Sequence, residues 1–243
     1  MARNLQRRRS IDVQRVVGAQ ETEEFMSIAA HDLRNPIAVM RASAQMAQRQ
    51  ILRGDSNGAH TRLKSIVEQT DRLTDMLDSF LDAARLGTGK VALRMERVEL
   101  RTVAELAVER TVALVRDQIE RPVELDIPDG CIGNWDHARI ARALRALVSN
   151  AFIYGDAAQP VRLWAHLEGA RVHLVVSGGG PGPDAEEVDH LFERFYRGRS
   201  AAEAGQSGSG LGLFTARGIA RLHGGDVRRI EGDRFEIELP VIG

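Results

Sequence analysis

The fold of the N-terminal part is decided by the stretch Phe25-Met-Ser-Ile-Ala-Ala-His31-Asp32-Leu33-Arg34-Asn35-Pro36-Ile-Ala-Val-Met40. In and beyond it, apolar residues recur in alternating steps of four and three, which is typical of a helix in a coiled coil or bundle. These residues are Met26, Ala30, Leu33, Ile37, Met40, Ala44, Ala47 and Ile51. The pattern predicts one long helix from Ile11 to about Arg53. His31 is one position off the apolar seam, so its ring is expected at the rim of the bundle.

The polar residues of this stretch can address one small ligand together. Asn35 follows His31 by four residues and therefore lies on the same helical face. Pro36 removes a backbone hydrogen bond and its ring clashes with the carbonyl of Asp32, so a kink is expected. A functional histidine and a surface histidine beside a chance kink both fit these residues.

A second helix is predicted after the break Gly54-Asp-Ser-Asn-Gly58. Its apolar face repeats in steps of three and four, at Leu63, Ile66, Thr70, Leu73, Leu77, Phe80 and Ala84. Two long helices joined by a short turn predict an antiparallel hairpin. Because one hairpin cannot bury both apolar stripes, two chains are expected to pair into a four-helix bundle. The predicted domains are a flexible segment 1–10, the hairpin 11–87, a linker 88–97 and a C-terminal domain 98–243.

The C-terminal domain shows an α+β pattern. Helices are predicted at Leu100–Arg116, after Asp136 through Ala151, and from the loop at Gly208 to about His223. Strands are predicted at Pro122–Ile127, Ile132–Trp135, Val161–Leu167, Val172–Val176, Val227–Ile230 and Phe235–Leu239. A mixed sheet covered by helices on one face follows from this order. The fold class of the whole chain is therefore α+β, a helical hairpin followed by an α/β sandwich.

Composition excludes several classes of function. The 33 Lys and Arg residues nearly balance 34 Asp and Glu residues, which argues against a nucleic-acid partner and an anionic membrane surface. The single cysteine, Cys131, cannot form an intrachain disulfide and fits a reducing compartment. No run approaches the roughly 18 apolar residues of a membrane span, and the N-terminus is too polar for a secretory signal. A soluble, cytoplasmic chain is expected.

Two glycine-rich loops and one amide are candidates for nucleotide binding. The loop Gly208-Ser-Gly210-Leu-Gly212-Leu213 precedes a predicted helix, whose N–H groups and dipole favour an anion. It lacks the Gly-Lys-[Ser/Thr] of a P-loop, and a loop that only turns the chain is the alternative. The stretch Ser177–Asp184 is too rich in glycine and proline for regular structure. Asn150, at the end of an apolar helix, is a candidate ligand for Mg²⁺ or a plain helix-end amide.

Four segments, in this order, resemble the motifs of sensor histidine kinases of two-component signalling. They are the phosphoacceptor motif at His31–Pro36, the asparagine box at Leu144–Tyr154, the phenylalanine box at Leu191–Tyr196 and the last glycine box at Gly208–Leu213. The resemblance covers nearly all of the chain. It implies a dimerisation and phosphotransfer domain followed by an ATP-binding domain of the gyrase and Hsp90 type.

The resemblance also implies roles for particular residues. His31 would attack the γ-phosphate of ATP, Asp32 would be the general base, and Asn35 would position water for hydrolysis of a regulator's aspartyl phosphate. Asn150 would hold Mg²⁺. ATP and Mg²⁺ are the implied cofactors, and a response regulator receiver domain and a second copy of the chain are the implied partners. The implied nucleotide-binding residues are Asn150, Tyr154, Gly180, Gly182, Gly208, Gly210, Leu211, Gly212 and Leu213.

The first glycine box departs from the family pattern. Gly178 stands where the family has an adenine-binding aspartate, Ile153 where a lysine is usual, and Asp233 where a threonine backs that aspartate. Asp233 could supply the missing carboxylate, or it could be an exposed residue at a hairpin tip. An ATP-dependent histidine kinase is expected, and an ATP-independent phosphotransferase, a phosphatase or a scaffold is the alternative. A coiled-coil adaptor would explain the hairpin but would leave both glycine loops unexplained. The near-zero net charge and the absence of a basic stripe argue against a nucleic-acid-binding module.

Overall fold

The computed structural model describes residues 30, 33–88, 91–115, 121–199 and 209–242. The chain divides into two compact units, one formed by Met1–Leu77 with Ser207–Ser209 and the other by Asp78–Gln206 with Gly210–Gly243. Among the described residues, no helix is both long and apolar enough to cross a lipid bilayer.

The first unit contains a hairpin of two helices. Helix α1 covers 33–52, and helix α2, Ser56–Thr88, begins in this unit and continues into the second. Pro36 does not end α1. The kink expected from a clash of its ring with the Asp32 carbonyl involves a residue outside the described ones. The break is shorter than predicted because Asp55 accepts a hydrogen bond from the Gly58 N–H at 2.9 Å, as the residue before a helix commonly does. Residues 56–58 therefore form the first turn of α2.

The two helices are antiparallel, as predicted. The hydroxyl of Ser43 lies 3.4 Å from that of Ser65, and the Thr70 hydroxyl lies 3.3 Å from the sulfur of Met40, so the contacts run in opposite chain directions. A single hairpin leaves several large apolar side chains at least half exposed. They include Ile37 (50%), Ile51 (61%), Leu52 (87%), Leu63 (50%) and Val67 (60%).

The second unit is built on a five-stranded sheet with the order β2-β4-β5-β7-β6. The strands are β2 Val123–Asp126, β4 Val161–Glu168, β5 Arg171–Ser177, β6 Asp226–Arg229 and β7 Phe235–Pro240. Strand β2 runs parallel to β4, and the other neighbours are antiparallel, so the predicted mixed sheet is confirmed. A separate two-stranded sheet pairs β1, Glu96–Glu99, with β3, Ile132–Trp135. Strand β1 was not predicted, because only one of its four residues is apolar.

Three helices of this unit contribute to one hydrophobic core with the sheet. They are α3 Leu100–Val115, α4 His137–Tyr154 and α5 Gly212–Leu222. Alternate residues of the central strands, such as Leu163, Leu174 and Ile237, are buried in that core. Asp136 is the N-cap of α4, as its position predicted, and its side chain accepts a hydrogen bond from the Arg139 N–H at 3.1 Å. Helix α4 extends three residues beyond the predicted end at Ala151.

Candidate functional site

The loop after β5, residues 178–182, is held by side chains from two other segments. The Gly178 N–H donates to the Asp233 carboxylate at 2.6 Å, and the Gly178 carbonyl accepts from Arg121 at 2.5 Å. The Gly180 N–H donates to the same carboxylate at 3.1 Å, and the Gly179 N–H donates to the Ser177 hydroxyl at 3.2 Å. Three consecutive N–H groups thus have acceptors within the chain. This loop does not present them to a phosphate.

Position 178 has no room for a side chain. A Cβ atom there would overlap the carbonyl oxygen of Ala151 and lie 2.9 Å from the Cα of Gly155. Gly182, whose φ is +78°, is equally restricted, because a Cβ atom there would overlap the carbonyl group of Gly232. Glycine is required at both positions by the close approach of other backbone segments. The aspartate that the family has at position 178 does not fit this backbone.

Arg121 is a buried arginine that fastens the end of α4 to this loop. Its guanidinium donates hydrogen bonds to the carbonyls of Gln159 (2.7 Å), Ala151 (2.9 Å), Phe152 (3.3 Å) and Gly178 (2.5 Å). A cation at a helix C-terminus also complements the helix dipole. Burial lowers the pKa of Arg121, and the charges of Asp156 and Asp233 offset that effect in part. Sequence reasoning missed this residue, because nothing in the sequence near Arg121 marks it as functional.

Asp233 lies in the turn between β6 and β7, as predicted, but it is half-buried and its carboxylate is bonded to the glycine loop. The interpretation as an exposed tip residue is therefore wrong. Its Oδ2 atom accepts from two backbone N–H groups, whereas among the described residues Oδ1 accepts only the Ser177 hydroxyl, at 2.8 Å. Since a carboxylate oxygen accepts about two hydrogen bonds, Oδ1 retains one free lone pair.

The N-terminus of α5 differs from the first loop, because its backbone N–H groups lack acceptors among the described residues. The helix begins at Gly212 without a side-chain cap. Within the described part of the chain, no N–H group from Gly210 to Leu213 has an acceptor. Unpaired N–H groups at the positive end of a helix dipole form a site for an anion such as phosphate.

Asn150 lies beside this helix end. A Cβ atom on Gly212 would contact the Cβ of Ala146 at 3.6 Å, and Asn150 follows Ala146 by one turn on the same face of α4. The half-buried Asn150 side chain makes no hydrogen bond to any described residue, so its amide oxygen is free to bind a hard cation such as Mg²⁺. Tyr154, one turn further, is 42% exposed. Partial burial raises the pKa of its phenol, and the charge of Arg197 acts against this shift.

The described part of the segment between the two loops is held by two backbone hydrogen bonds, one from Phe195 and one from Arg199. Phe195 has a φ of +65°, and its N–H donates to the Gly210 carbonyl at 3.1 Å. A Cβ atom on Gly210 would lie 2.5 Å from the carbonyl carbon of Phe195, so glycine is required here as well. At the other end, the buried Glu187 accepts the Arg199 N–H at 2.7 Å, and this bond is the main reason that the pKa of Glu187 is lowered.

The structure thus brings most of the predicted nucleotide-binding residues around the C-terminal half of α4. The first loop, with Gly180 and Gly182, and the second loop, with Gly210, Leu211, Gly212 and Leu213, both approach this helix. Asn35 is exposed on α1, in the first compact unit. The predicted residues His31, Asp32 and Gly208 lie outside the described residues.

Two family models match the chain, one over the helical hairpin and one over most of the domain built on the five-stranded sheet. Residues 21–89 match the His Kinase A (phospho-acceptor) domain. Residues 135–242 match the domain described as histidine kinase-, DNA gyrase B-, and HSP90-like ATPase. The hairpin and the sandwich are therefore those of a histidine kinase, and the chain belongs to the sensor histidine kinases.

Particular members of the family are similar along most of this chain. It is 27% identical over 224 residues to the sensor-like histidine kinase SenX3 of Mycobacterium tuberculosis, a match that covers 90% of this chain and 54% of SenX3. It is 31% identical over 237 residues to the sensor protein kinase PmrB of Pseudomonas aeruginosa, with 93% of this chain and 47% of PmrB covered. The chain therefore spans about half the length of these relatives.

Solved structures show the same fold. The histidine kinase AdeS of Acinetobacter baumannii matches 88% of this chain and 98% of its own with a TM-score of 0.60 and 23% identity, which is evidence for the fold alone. The mycobacterial sensor histidine kinase MprB matches 60% of this chain and 97% of its own, with a TM-score of 0.53 and 25% identity.

Proposed function

We propose that this protein is an ATP-dependent histidine kinase that phosphorylates itself on His31 and passes the phosphoryl group to an aspartate of a response regulator receiver domain. The observation that carries the proposal is the N-terminus of α5, where unpaired N–H groups lie beside the free amide of Asn150. This combination suits a nucleotide triphosphate and its cation. The match of residues 21–89 to the phospho-acceptor domain, which includes His31, supports the acceptor.

In this mechanism each residue has one task. The N–H groups from Gly210 to Leu213 bind phosphate oxygens, and Asn150 would hold Mg²⁺, whose charge neutralises the negative charge that develops on the phosphates. His31 attacks the γ-phosphate as a neutral imidazole, the form that a histidine readily adopts near neutral pH. The new N–P bond forms as the bond from the γ-phosphorus to the β–γ bridging oxygen breaks, and ADP leaves. Asp32 takes the other ring proton as a general base. Asn35 orients water for hydrolysis of the regulator's aspartyl phosphate, which is the reverse activity.

Adenine recognition is assigned to Asp233 in this proposal. Position 178 cannot carry the family's aspartate, whereas Asp233 brings a carboxylate to the Gly178 N–H at 2.6 Å. The free lone pair on its Oδ1 can accept the adenine amino group. The acceptor would thus come from the β6–β7 turn instead of from the end of β5.

Two chains form the active unit in this proposal. Leu63 and Val67 are 50% and 60% exposed on one hairpin, and a second hairpin would bury them in a four-helix bundle of cytoplasmic domains. A double variant that carries both Leu63→Glu and Val67→Glu should therefore be a monomer in sedimentation analysis, because the dimer would bury each new charge without a partner. Lys64→Glu, at a polar position of α2 whose side chain is 62% exposed, is the matched control and should remain a dimer. A dimer in both variants would place the interface elsewhere.

The decisive test of the activity is incubation with γ-labelled ATP and Mg²⁺. Wild type should acquire an acid-labile, base-stable label, His31→Ala should acquire none, and the exposed control His60→Ala should be labelled like wild type. Asn35→Ala should be labelled like wild type. In its presence, however, the phosphorylated regulator should lose its phosphate more slowly than with wild type. Label that persists in His31→Ala contradicts the assignment.

A second candidate is an ATP-independent phosphotransferase or phosphatase, which the lack of room for an aspartate at position 178 favours. In that case wild type would take no label from ATP, but His31 would accept phosphate from a phosphorylated regulator.

A further inference from the structure

Two histidines and a glutamate share one face of the five-stranded sheet. Side chains alternate between the faces along a strand, so His166 and Glu168 of β4 lie opposite to the core-facing Leu163 and Ala165. In the adjacent strand β5, His173 is directly paired with His166, and the two rings are stacked with their centroids 5.0 Å apart. The register therefore brings two imidazoles and a carboxylate together.

The spacing of the three side chains is close to that of a metal site. One ligand atom from each of His166, Glu168 and His173 lies within 4.8 Å of the others. The Glu168 Oε2 and the His173 Nε2 are 3.7 Å apart. Ligand atoms about 3.3 Å apart surround a tetrahedral Zn²⁺ with bonds of 2.0–2.1 Å. His166 and Glu168 are exposed, so small rotations of their side chains suffice to close the difference.

His173 lies against a buried carboxylate. The ring is nearly buried, and its Nδ1 lies 3.2 Å from Oε1 of Glu236, which is itself buried and paired with Arg228 at 2.6 Å. This contact is not a hydrogen bond, because Oε1 of Glu236 has no hydrogen-bond partner among the described residues. The negative charge of Glu236 still favours the tautomer with the proton on Nδ1, which leaves the lone pair on Nε2. The second nitrogen, Nε2, is the one that faces Glu168.

A competing set of ligands on the same face is already neutralised. Glu236 and Glu238 also lie near His173, but Arg228 pairs with Glu236, and Arg171 pairs with Glu238 at 2.6 Å. Glu168 has no cationic partner in the described part of the chain except His173, and its side chain is 79% exposed. A cation can therefore reach the Glu168 side of the cluster without displacing an arginine.

We propose that His166, Glu168 and His173 bind one Zn²⁺ ion, with water as the fourth ligand. Two imidazoles and one carboxylate with an open position are a donor set that suits zinc among the common divalent metals. This site is separate from the nucleotide loops, which approach α4.

Calorimetric titration of the metal-free full chain with Zn²⁺ tests the proposal. Wild type should bind one ion, and His166→Gln and Glu168→Gln should each weaken binding at least tenfold. Both substitutions are at exposed positions, and thermal unfolding in EDTA should show that both variants fold like wild type. The exposed His60→Gln on α2 is the matched control and should bind like wild type.

A second readout is the melting temperature, which Zn²⁺ should raise for wild type and for His60→Gln but not for Glu168→Gln. Absence of binding to wild type overturns the proposal. So does equal affinity in wild type and both site variants, or an equal loss in His60→Gln. Neither measurement uses kinase activity, so the result is independent of the proposed function.

Discussion

The two glycine loops both approach α4, yet they are held in opposite ways. In the first loop, the N–H groups of residues 178–180 are bonded to Asp233 and Ser177, and Arg121 holds the Gly178 carbonyl. In the second, the N–H groups from Gly210 to Leu213 have no acceptor among the described residues. Glycine allows close approach of another backbone segment in both loops, at Gly178 and at Gly210, but only the second loop leaves its N–H groups open to a ligand. Glycine-rich sequence alone therefore does not identify a phosphate site.

This comparison suggests that the shape of the first loop is set before any nucleotide arrives. Opposite charges, Arg121 and Asp233, bind the carbonyl and the N–H of the same residue, Gly178. A ligand that enters such a pocket does not have to order the loop, so less of its binding free energy is lost. Variants that each remove one of the contacts holding the first loop can test whether its shape is set before nucleotide binds.

The largest effect is expected from Arg121→Met, which removes the arginine from four carbonyls. Those of Ala151 and Gly178 keep a backbone N–H donor, whereas those of Phe152 and Gln159 are left without a donor among the described residues. Because buried carbonyls are costly to leave unpaired, the free energy of unfolding should fall by about 3–5 kcal/mol in urea denaturation. Arg162→Met is the control, since Arg162 is 56% exposed and pairs only with the exposed Glu124. Its cost should stay below about 1 kcal/mol. Equal costs in the two variants would show that the first loop is not fastened through Arg121.

The next largest effect is expected from Gly178→Ala. Its Cβ would overlap the Ala151 carbonyl, so the free energy of unfolding should fall by about 2–3 kcal/mol. For the same reason, Gly178→Asp should weaken ATP binding in calorimetry, although it restores the family's residue. Tighter ATP binding by Gly178→Asp would mean that the loop yields easily and that its shape is not set in advance.

Variants of Asp233 can distinguish its role in holding the first loop from its proposed role in binding adenine. Asp233→Ala removes three hydrogen bonds and should lower the free energy of unfolding by about 2 kcal/mol, whereas Asp233→Asn keeps an acceptor and should cost less than about 1 kcal/mol. If the carboxylate reads adenine, Asp233→Asn should still weaken ATP binding at least tenfold and bind GTP as wild type does. An equal loss for ATP and GTP would limit Asp233 to holding the loop.

The smallest effect is expected at Gly212 in the second loop, and Gly210 is the comparison. Gly210→Ala should lower the free energy of unfolding by about 2–3 kcal/mol, because its φ is +66° and its Cβ would lie 2.5 Å from the carbonyl carbon of Phe195. Gly212→Ala should change it by less than about 1 kcal/mol, since the added Cβ makes an ordinary 3.6 Å contact with Ala146. Equally large losses in both variants, measured in urea, would show that the second loop is as tightly packed as the first.

The sequence by itself determined the features that depend on neighbouring residues. The helical hairpin, strand β3 at Ile132–Trp135 and the N-cap Asp136 were predicted because periodicity and capping act over a few residues. The motif order also predicted the family, which the matches to the phospho-acceptor and ATPase domains confirmed. Strand β1 was missed, since Glu96-Arg-Val-Glu99 has a single apolar residue and pairs only because β3 is beside it.

Only the tertiary structure decided how the first glycine loop is held. Arg121 and Gly178 are 57 residues apart, and Gly178 and Asp233 are 55 residues apart, so no local spacing relates them. The exclusion of a side chain at position 178 likewise depends on the carbonyl of Ala151, which α4 brings there. Hydrogen bonds and steric overlap act over a few ångströms in space. Residues distant in sequence can make such contacts only after the sheet and α4 have packed together.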